Sequence, residues 1–422
     1  MDSSQNSVLE CTSFYDQPHV EIENIPIGPG VKLGIEQVNN KAIGIGGAYG
    51  TWGDSYSNEA LQQFIEDHLG EPLLVEEKMN LSELGFEYRQ HLPKLSDQEH
   101  IDVEVEVGTR LLKSAISACG WKPAEIEAVI IGMSAPTCDD YTERIARQAG
   151  IQDQALKVSI HKACDSSVAG LNLILNPRLS IIEQLPYNIA EKLLDKKVLV
   201  GGIEGLSRIV SLTHDKNALQ IFGNGAGIIG FIPGDSMKFL TGETLEAFDE
   251  EGVLQVYMLY PHSRNKSSNQ SMIEVTQLGE NNLRIAGMMH EPVRAEPVVM
   301  AGMMGMVKLF VRNGVLIVKD VYRNYRRQME EAGTPDKGIA VMVTHHANLK
   351  INQLKGKNLQ KEGIRLVTPW LLKDFGNVSA ASNMIAFLRI VNQLKPGDHV
   401  LFDGFGAGTY YDVVVVELGG GC

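Results

Sequence analysis

One cysteine of this 422-residue chain stands at a position that suits a reactive thiol. Cys164 lies in ALKVSIHKACDSSVAGLNLIL, residues 155–175, where alternating apolar residues predict a strand and the apolar periodicity that follows predicts a helix. The thiol is therefore placed at a strand-to-helix junction. The partial positive charge and unpaired N–H groups of a helix N-terminus favour thiolate, the form that attacks acyl carbons. The alternative is an ordinary small core residue, since free cysteine is among the most buried residue types.

Two further side chains suit the same chemistry. His345 and His346 are neighbours in VTHHANLKINQ, residues 343–353, at the end of a predicted strand, so they point to opposite faces and only one faces a common site. Asn377 stands in a predicted turn into a helix, residues 376–391. Taken alone, His345 is equally explained as a hydrogen-bonded core histidine and Asn377 as a helix cap. A thiolate with imidazole and amide partners is an arrangement typical of covalent acyl transfer.

Acyl transfer from a thioester also needs hydrogen-bond donors for the negative oxygen that develops on the attacked carbonyl. The segment GFGAG, residues 404–408, presents backbone N–H groups that a substrate can approach closely. Each such donor typically contributes about 2.7–4 kcal/mol to transition-state stabilisation. The alternative for these glycines is a tight turn that needs positive φ.

The predicted elements around these residues occur twice along the chain. A long helix, a buried strand, a strand-to-helix turn and a strand–glycine–strand unit occur twice in this order. The first set lies at 100–119, 126–132, Cys164 and 198–231, and the second at 317–332, 338–346, 376–391 and 399–418. Such repetition predicts an α/β fold built from two duplicated halves. We expect an extension over 1–40, a first half over 41–235 that carries the nucleophile, and a second half over 236–422 that carries the histidine and asparagine. The alternative is two unrelated α/β domains.

Composition excludes several other classes of protein. A net charge of −14 without a Lys/Arg-rich run argues against nucleic-acid binding. Five cysteines with no Cys-x-x-Cys pair indicate a reducing cytoplasm rather than a disulfide framework or a zinc site. The N-terminus lacks a secretory pattern, and the most apolar segment, residues 297–307, is too short to span a membrane. Because Tyr49 stands where a dinucleotide fingerprint needs its third glycine, we expect no nucleotide cofactor, and we expect no metal.

Six motifs together resemble one known family. KACDSSVAG, GIEGLSRIV, FGNGAG, THHANLKI, GNVSAAS and GFGAGTYYD occur in this order and resemble motifs of the β-ketoacyl-acyl carrier protein synthase III family of the thiolase superfamily. The resemblance extends over about residues 40–422. It implies the five-layered αβαβα thiolase fold, a homodimer with active sites beside the interface, and thioesters of acyl carrier protein or coenzyme A as substrates.

The resemblance also assigns a role to each candidate residue. Cys164 corresponds to the nucleophile that accepts the acyl group. His345 and Asn377 correspond to the pair that binds the second thioester and stabilises its carbanion, whereas His346 lies where the family often has glutamine. The backbone N–H groups of Cys164 and Ala407 correspond to the oxyanion hole. The implied reaction is a decarboxylative Claisen condensation, in which a malonyl-type thioester loses CO₂ and attacks the acyl group on cysteine.

One departure from the family concerns the acyl donor. Family members that use acyl-CoA carry a tryptophan and an Arg-Thr-Gly segment where this chain has MNLSELGFEYRQ, residues 79–90, with Met79 and Glu83 in their place. Loss of a stacking ring and of a phosphate-binding cation should weaken coenzyme A binding. We therefore expect a carrier protein as donor, with Lys350 and Lys357 at basic positions that dock it. The alternative for these lysines is a solvated helix face.

Two carboxylates are a second departure. Asp165 follows the cysteine directly and would oppose a thiolate if it faced inward, so we expect it to point away and bind backbone N–H groups. Asp139 lies in MSAPTCDDYTERI, residues 133–145, which corresponds to the segment that closes the partner subunit's acyl tunnel. A carboxylate there is reminiscent of relatives that join two acyl chains without decarboxylation. The alternative for Asp139 is a surface turn.

Other features indicate a specialised lipid or polyketide pathway. Segments 176–191 and 235–300 are predicted insertions beyond the family's minimal form. One competing function is transfer of the acyl group to an alcohol or amine, against which the retained Asn377 argues, because no carbanion forms in that reaction. Another is a non-catalytic partner, which is disfavoured because such partners usually lose the cysteine or the histidine.

Overall fold

The structure is a computed structural model that describes residues 20, 22–25, 30–93, 95–134, 137–179, 185, 187–211, 216–247, 273–287, 303–407 and 410–419. Several predicted features lie outside these residues, namely the start of the extension (1–19), Gly408, most of the apolar segment 297–307 and most of the predicted insertion 235–300.

Within the described ranges, the strands form two large sheets and one two-stranded sheet. They are β1 (Glu23–Asn24), β2 (Lys32–Asn40), β3 (Ile45–Trp52), β4 (Asp54–Ser57), β5 (Tyr88–His91), β6 (Ala128–Gly132), β7 (Leu156–His161), β8 (Val198–Glu204), β9 (Gly225–Phe231), β10 (Met237–Glu246), β11 (Glu274–Gly279), β12 (Asn282–Ala286), β13 (Ile339–Thr344), β14 (His399–Gly406) and β15 (Tyr410–Leu418). The first sheet has the order β1-β2-β3-β9-β8-β6-β7-β12-β11, the second has β10-β15-β14-β13, and β4 pairs with β5.

The helices lie between and outside these sheets. They are α1 (Asn58–Leu69), α2 (Asp97–Ala118), α3 (Tyr141–Gln148), α4 (Ser166–Leu175), α5 (Ile189–Leu193), α6 (Leu206–Ser211), α7 (Lys216–Ile221), α8 (Met303–Glu331), α9 (Leu349–Lys361) and α10 (Ser382–Ile390). Among the described residues, none of these helices combines the length and the apolar character needed to cross a membrane.

The two large sheets repeat one four-strand arrangement. Neighbouring strands follow the order β3-β9-β8-β6 in the first sheet and β10-β15-β14-β13 in the second. In both, the first two pairings are antiparallel and the third is parallel. The same pairing sequence in two parts of the chain is the duplicated α/β arrangement that the repeated elements predict.

Alternation of side chains along the strands builds five layers. In β6, Val129 packs with α2 and α3, whereas the next residue, Ile130, packs with α4 and α10. In β15, Val413 packs with α8 and α9, whereas Val414 packs with α4 and α10. Every residue of α4 and α10 is buried, as expected for helices between two sheets. The layer order is therefore helix, sheet, helix, sheet, helix, which confirms the predicted αβαβα thiolase fold.

Two strands lie where the sequence indicated peripheral segments. Residues 32–40, assigned above to an extension outside the fold, form β2 and pair with β3. Few of their side chains are fully buried, chiefly Leu33 and Val38, so the alternating apolar signal of a strand is weak. Residues 237–246, inside the predicted insertion, form β10 and pair along their whole length with β15. The glycine, threonine and glutamate residues of β10 likewise weaken the alternation of apolar side chains by which a strand is predicted.

A buried group of charged residues ties the Cys164 turn to the second sheet. We call Lys162, Asp165 and Asp412 the Lys162 cluster; their side chains are 4%, 0% and 2% exposed. Lys162 Nζ pairs with Asp412 and lies 3.2 Å from Asp165 Oδ2, while the Asp412 N–H donates to Asp165 Oδ1 at 3.1 Å. Burial and the Asp412 carboxylate raise the pKa of Asp165 well above its usual value. Asp165 therefore receives a backbone N–H from β15 rather than capping its own helix.

Replacing Lys162 with methionine should destabilise the protein, because two buried carboxyl groups lose their cation. Breaking a buried pair in this way typically costs about 3–5 kcal/mol. Burial and Asp412 raise the pKa of Asp165 and Lys162 partly offsets this rise, so removal of Lys162 should raise that pKa further. Carboxyl groups of both unfolded chains titrate near pH 4. The folded variant should therefore bind more protons than folded wild type, and its deficit should grow as pH rises from about 4 to about 8. Urea denaturation across this range measures the deficit.

Lys238→Met is the matched control for this experiment. Lys238 pairs with Glu417 at 3.6 Å, but 51% of its side chain is exposed. Exposed pairs contribute about 0–1 kcal/mol, so the control should unfold close to wild type at every pH. A free energy of unfolding for K162M equal to that of wild type at about pH 8 would show that the Lys162 cluster adds no net stability.

Candidate functional site

Cys164 lies in a tight turn between β7 and α4. The strand ends at His161, and a single 3₁₀ turn over Ala163–Asp165 precedes the helix. Ala163 has φ 52°, a left-handed conformation that side-chain-bearing residues rarely adopt. Such a conformation persists only where the surrounding structure holds it, and it is common at functional sites. The turn therefore confirms the predicted strand-to-helix junction and sets Cys164 two residues before the start of α4.

A second turn of the same shape leads into α10. Ser379 has φ 44°, and a 3₁₀ turn over Ser379–Ala381 precedes the helix. The two turns meet the first sheet at Gly132 and Gly202, which are register partners on β6 and β8. A Cβ at Gly132 would collide with the backbone of Ser166, and one at Gly202 with the backbone of Ala380. These two glycines let both turns approach the same sheet edge side by side.

Ser379 joins Cys164 to Asn377. Its hydroxyl donates to Cys164 Sγ at 3.0 Å, and its backbone N–H donates to Asn377 Oδ1 at 2.9 Å. Because Oδ1 accepts a backbone N–H, the amide nitrogen of Asn377 must point the other way. Its Nδ2 donates one hydrogen to the Ala347 carbonyl at 3.3 Å, which leaves a second amide hydrogen for another acceptor.

Burial decides the protonation state of the Cys164 sulfur. It raises the pKa of the thiol to about 12, with the Ser379 hydrogen bond acting in the opposite direction and the Glu204 charge in the same one. The resting group is therefore a thiol, whereas the helix N-terminus alone predicted a thiolate. Its proton must leave when the sulfur attacks a substrate.

His345 is buried, and a hydrogen bond holds one of its ring nitrogens in place. Nδ1 lies 2.6 Å from Ser382 Oγ, and the ring meets the Phe405 ring edge-on at a centroid distance of 5.0 Å. Burial, with smaller effects of His346 and Lys355, lowers the pKa of His345 to about 3, so the imidazole is neutral. When Ser382 donates to Nδ1, Nε2 carries the hydrogen and becomes a neutral donor toward a substrate oxygen.

His346 uses both of its ring nitrogens within the protein. Nδ1 lies 2.8 Å from the Thr344 carbonyl, and Nε2 accepts the backbone N–H of Leu371 at 3.0 Å. Its ring also packs on Trp370 at a centroid distance of 4.6 Å. These contacts make His346 a structural residue, and they support His345 as the histidine that faces substrate.

The end of β14 lies against the Cys164 turn. A Cβ at Gly406 would stand 2.8 Å from Cys164 N, so the two backbones are in direct contact. The next residue, Ala407, has φ 50°. Of the four described non-glycine residues with positive φ, three border this site (Ala163, Ser379 and Ala407) and only Asp195 lies elsewhere. This placement supports the predicted oxyanion hole formed by the N–H groups of Cys164 and Ala407.

Sequence reasoning missed a buried carboxylate beside the second turn. Oε1 of Glu204, the last residue of β8, accepts Ser134 N–H at 2.7 Å, Ser134 Oγ–H at 2.8 Å and Ala380 N–H at 3.0 Å. Burial raises the pKa of Glu204 to about 8, although these hydrogen bonds act to lower it. The available signal was a glutamate that ends an apolar strand inside the motif GIEGLSRIV.

Three other predicted residues lie on the surface. Lys350 and Lys357 are exposed on α9, and Lys350 pairs with Glu83. The Asp139 side chain is 88% exposed and pairs with Arg284 at 3.0 Å. Their predicted roles in docking and at a subunit interface stay predictions. Within the described ranges there is also no group of three or more His, Cys, Asp or Glu side chains placed to hold a metal ion.

Comparisons with known proteins agree with this geometry. The family described as 3-oxoacyl-(acyl-carrier-protein) synthase III C terminal matches residues 329–418, a segment that includes His345, Asn377 and Ala407. The β-ketoacyl-(acyl-carrier-protein) synthase III of Helicobacter hepaticus is 26% identical over 338 residues, which cover 77% of this chain and 85% of that protein.

Two solved structures show the fold. The 3-oxoacyl-(acyl-carrier-protein) synthase III of Aquifex aeolicus superposes with a TM-score of 0.56 at 18% identity, over 92% of this chain and 100% of that one. Xanthomonas campestris OleA with bound lauric acid and lauroyl-CoA superposes with a TM-score of 0.56 at 13% identity, over 91% of this chain and 97% of that one. These likenesses support a synthase III-like condensing enzyme of the thiolase superfamily, an acyltransferase that forms carbon–carbon bonds.

Proposed function

We propose that the chain is a ketosynthase that takes an acyl group onto Cys164 and condenses it with a malonyl-type thioester held by His345 and Asn377. One observation carries the proposal: Ser379 binds Cys164 through its hydroxyl and Asn377 through its backbone N–H. The groups assigned to the two half-reactions are thus connected by a single residue.

In the first half-reaction, Cys164 Sγ attacks the carbonyl carbon of the acyl thioester, and the donor thiol leaves. The developing oxyanion would accept the N–H groups of Cys164 and Ala407. These backbone donors need no reorganisation, because the left-handed conformations of Ala163 and Ala407 already orient them.

In the second half-reaction, the malonyl-type thioester loses CO₂, and the released electron pair forms a bond to the acyl carbon on Cys164. The thioester oxygen gains negative charge as CO₂ leaves. A neutral His345 Nε2–H and the remaining Asn377 amide hydrogen are suitable donors for that oxygen. Collapse of the tetrahedral intermediate then releases a 3-oxo product and expels the Cys164 thiolate, which takes up one proton from solvent to return to the thiol.

Substitutions at the three residues should separate these half-reactions. Wild-type protein incubated with acyl carrier protein thioester should gain the acyl mass on Cys164, and C164A should not. H345A and N377A should still become acylated but form the 3-oxo product about 10²–10³-fold more slowly, the usual loss for an oxyanion donor. Intact-protein mass spectrometry follows the first step, and product and CO₂ release from malonyl carrier protein follow the second.

The cysteines at positions 119 and 138 provide controls. Burial raises the pKa of Cys119 to about 12 and that of Cys138 to about 11, so neither sulfur is ionised at rest. Neither cysteine has a role in the proposed reaction, so replacing either with alanine should leave both half-reactions unchanged. Acylation of C164A at the wild-type rate would reject the proposal. Transfer of the acyl group to an alcohol or amine, or condensation without CO₂, would assign the chain to one of the competing acyl-transfer reactions instead.

We further propose that the acyl donor is a carrier protein that docks on α9. Lys350, Leu354 and Lys357 follow one another at spacings of four and three residues and therefore share one face of the helix. Leu354 is 42% exposed, so this face combines positive charge with an apolar side chain. The relatives named above have an acyl carrier protein in their names. Glu83 neutralises part of this charge by pairing with Lys350.

Charge reversal at Lys357 tests the docking face. K357E should raise the KM for acyl carrier protein thioester about tenfold, equivalent to about 1.4 kcal/mol of binding, and leave the KM for a coenzyme A thioester unchanged. K113E is the matched control, since Lys113 is an exposed lysine of α2, in the outermost layer on the other side of the molecule. Equal effects of K357E on both donors, or faster acylation of wild type from coenzyme A, would contradict the proposal.

We also propose a cytoplasmic homodimer of a specialised lipid or polyketide pathway, in which the segment around Asp139 meets the partner's acyl tunnel. The exposure of Asp139 leaves it accessible to a second subunit. Sedimentation velocity should give twice the chain mass of 46.3 kDa. A monomer at micromolar concentration would contradict this arrangement.

A further inference from the structure

A hydrogen-bond chain leads from the Cys164 sulfur to a buried carboxylate. Ser379 Oγ lies 3.0 Å from Sγ, the Ser379 and Ser134 hydroxyls share a hydrogen bond, and Ser134 Oγ lies 2.8 Å from Glu204 Oε1. Ser134, Ser379 and Glu204 are 7%, 1% and 3% exposed. The hydrogen-bond chain therefore lies in the protein interior and joins groups from four separate parts of the sequence.

We propose that Glu204 receives the Cys164 proton through Ser379 and Ser134 when the sulfur attacks the acyl donor. This inference rests on the acylation of Cys164 proposed above. It adds a function for three residues that the family resemblance leaves without a role.

The proton moves by a coordinated shift along the chain. At rest the Ser379 hydroxyl donates to Sγ; for the relay it rotates to donate to Ser134 and accepts the thiol hydrogen in turn. Ser134 donates to Glu204. As the Sγ–acyl bond forms and the donor's thioester bond breaks, each proton moves one position, so that Glu204 becomes a carboxylic acid. Glu204 then returns a proton through Ser134 to Ser379, and Ser379 passes its own proton to the departing thiolate of the donor instead of to the acylated Sγ, so no external acid or base is consumed.

The surroundings of Glu204 fit a proton acceptor. The backbone N–H groups of Ser134 and Ala380 support its ionised form, while burial opposes it, and the resulting pKa of about 8 lies near a usual working pH. The thiol, with a pKa of about 12, would ionise rarely without such an acceptor. His345 is a weaker candidate, because its pKa is about 3 and its Nδ1 is engaged by Ser382.

Other charged groups near this chain must be separated from Glu204 in a pH experiment. On α2, Glu104 lies against Gly205 and has its own pKa raised by burial; it pairs with Arg208 at 3.5 Å. Tyr141 of α3 hydrogen-bonds the Glu104 carbonyl, and its pKa is raised well above the usual value. Beyond Cys164 lies the Lys162 cluster. Because Glu104 is a buried carboxyl group that lies against the residue next to Glu204, it needs its own variant.

Glu204→Gln is the decisive variant. The glutamine carbonyl still accepts the Ser134 and Ala380 donors and so keeps the structural anchor, but it cannot take up a proton at this pH. Glu104→Gln is the control for a neighbouring buried carboxylate, and Ser159→Ala for a buried hydroxyl pair, since Ser159 bonds Thr142 at 2.7 Å. Circular dichroism and thermal denaturation of each variant establish that it is folded.

Two probes are followed on the full-length protein from about pH 6 to about pH 10. Iodoacetamide reports ionisation of Cys164 without any acyl donor, and p-nitrophenyl butyrate reports acyl transfer; peptide mass spectrometry assigns both to Cys164. Wild type should show rates that rise to an inflection near pH 8. E204Q and S134A should react about 10²-fold more slowly at pH 8 and lose the inflection, whereas E104Q and S159A should follow wild type.

The outcomes distinguish the relay from a structural role and from failure of the proposed function. E204Q with wild-type rates and pH profile would overturn the relay, and so would a slow E204Q that keeps the inflection or an E104Q that loses it. A wild type that is alkylated with the expected inflection but never acylated, with E204Q slow, would support the relay and reject Cys164 acylation.

Discussion

The close approach of two tight turns to one sheet edge is the constraint on which the site depends. Gly132 and Gly202 face each other across β6 and β8, and each lies directly beneath the backbone of one turn. A methyl group at either position would push a turn away, and such overpacking typically costs about 1–3 kcal/mol. The Lys162 cluster then holds the Cys164 turn from the opposite side, against β15. The reactive sulfur is thus fixed between two sheets by packing beneath it and by ionic contacts above it.

The same burial keeps the Cys164 thiol and the His345 imidazole neutral at rest. It raises the pKa of Cys164 and lowers that of His345. Charge therefore develops on the sulfur and on the substrate only during reaction, in an interior of low dielectric where fixed N–H donors act most strongly. The cost is that the nucleophile carries its proton until it attacks. A thiol held neutral in this way must pass its proton to an acceptor as it reacts, whereas a thiolate would not.

Much of this organisation was predictable from the sequence, and the remainder depends on contacts that sequence patterns do not encode. Apolar periodicity and the repeated order of elements predicted the duplicated fold and the junction at Cys164. Ser134 and Ser379 are 245 positions apart, and Lys162 and Asp412 are 250 positions apart. Their meeting follows from the superposition of two halves, which no local pattern records. The strand β2 was missed for another reason. Few of its side chains are buried, so its apolar and polar residues alternate only weakly and its sequence resembles that of a loop.

The duplication also explains why only one of the two turns suits acyl transfer. Backbone angles make Ala163 the counterpart of Ser379, at φ 52° and 44°, so the counterpart of Cys164 is Ala380 rather than Asn377. In the first turn, the Cys164 N–H lies beside the end of β14, where the oxyanion hole is proposed. In the second, the equivalent Ala380 N–H is already bonded to Glu204 Oε1 at 3.0 Å. A carboxylate of the protein therefore occupies in one turn the position that a substrate oxygen would take in the other. The turn before α10 is closed to substrate for this reason. Glu204, the group that closes it, is also the group connected through Ser134 and Ser379 to Cys164 Sγ.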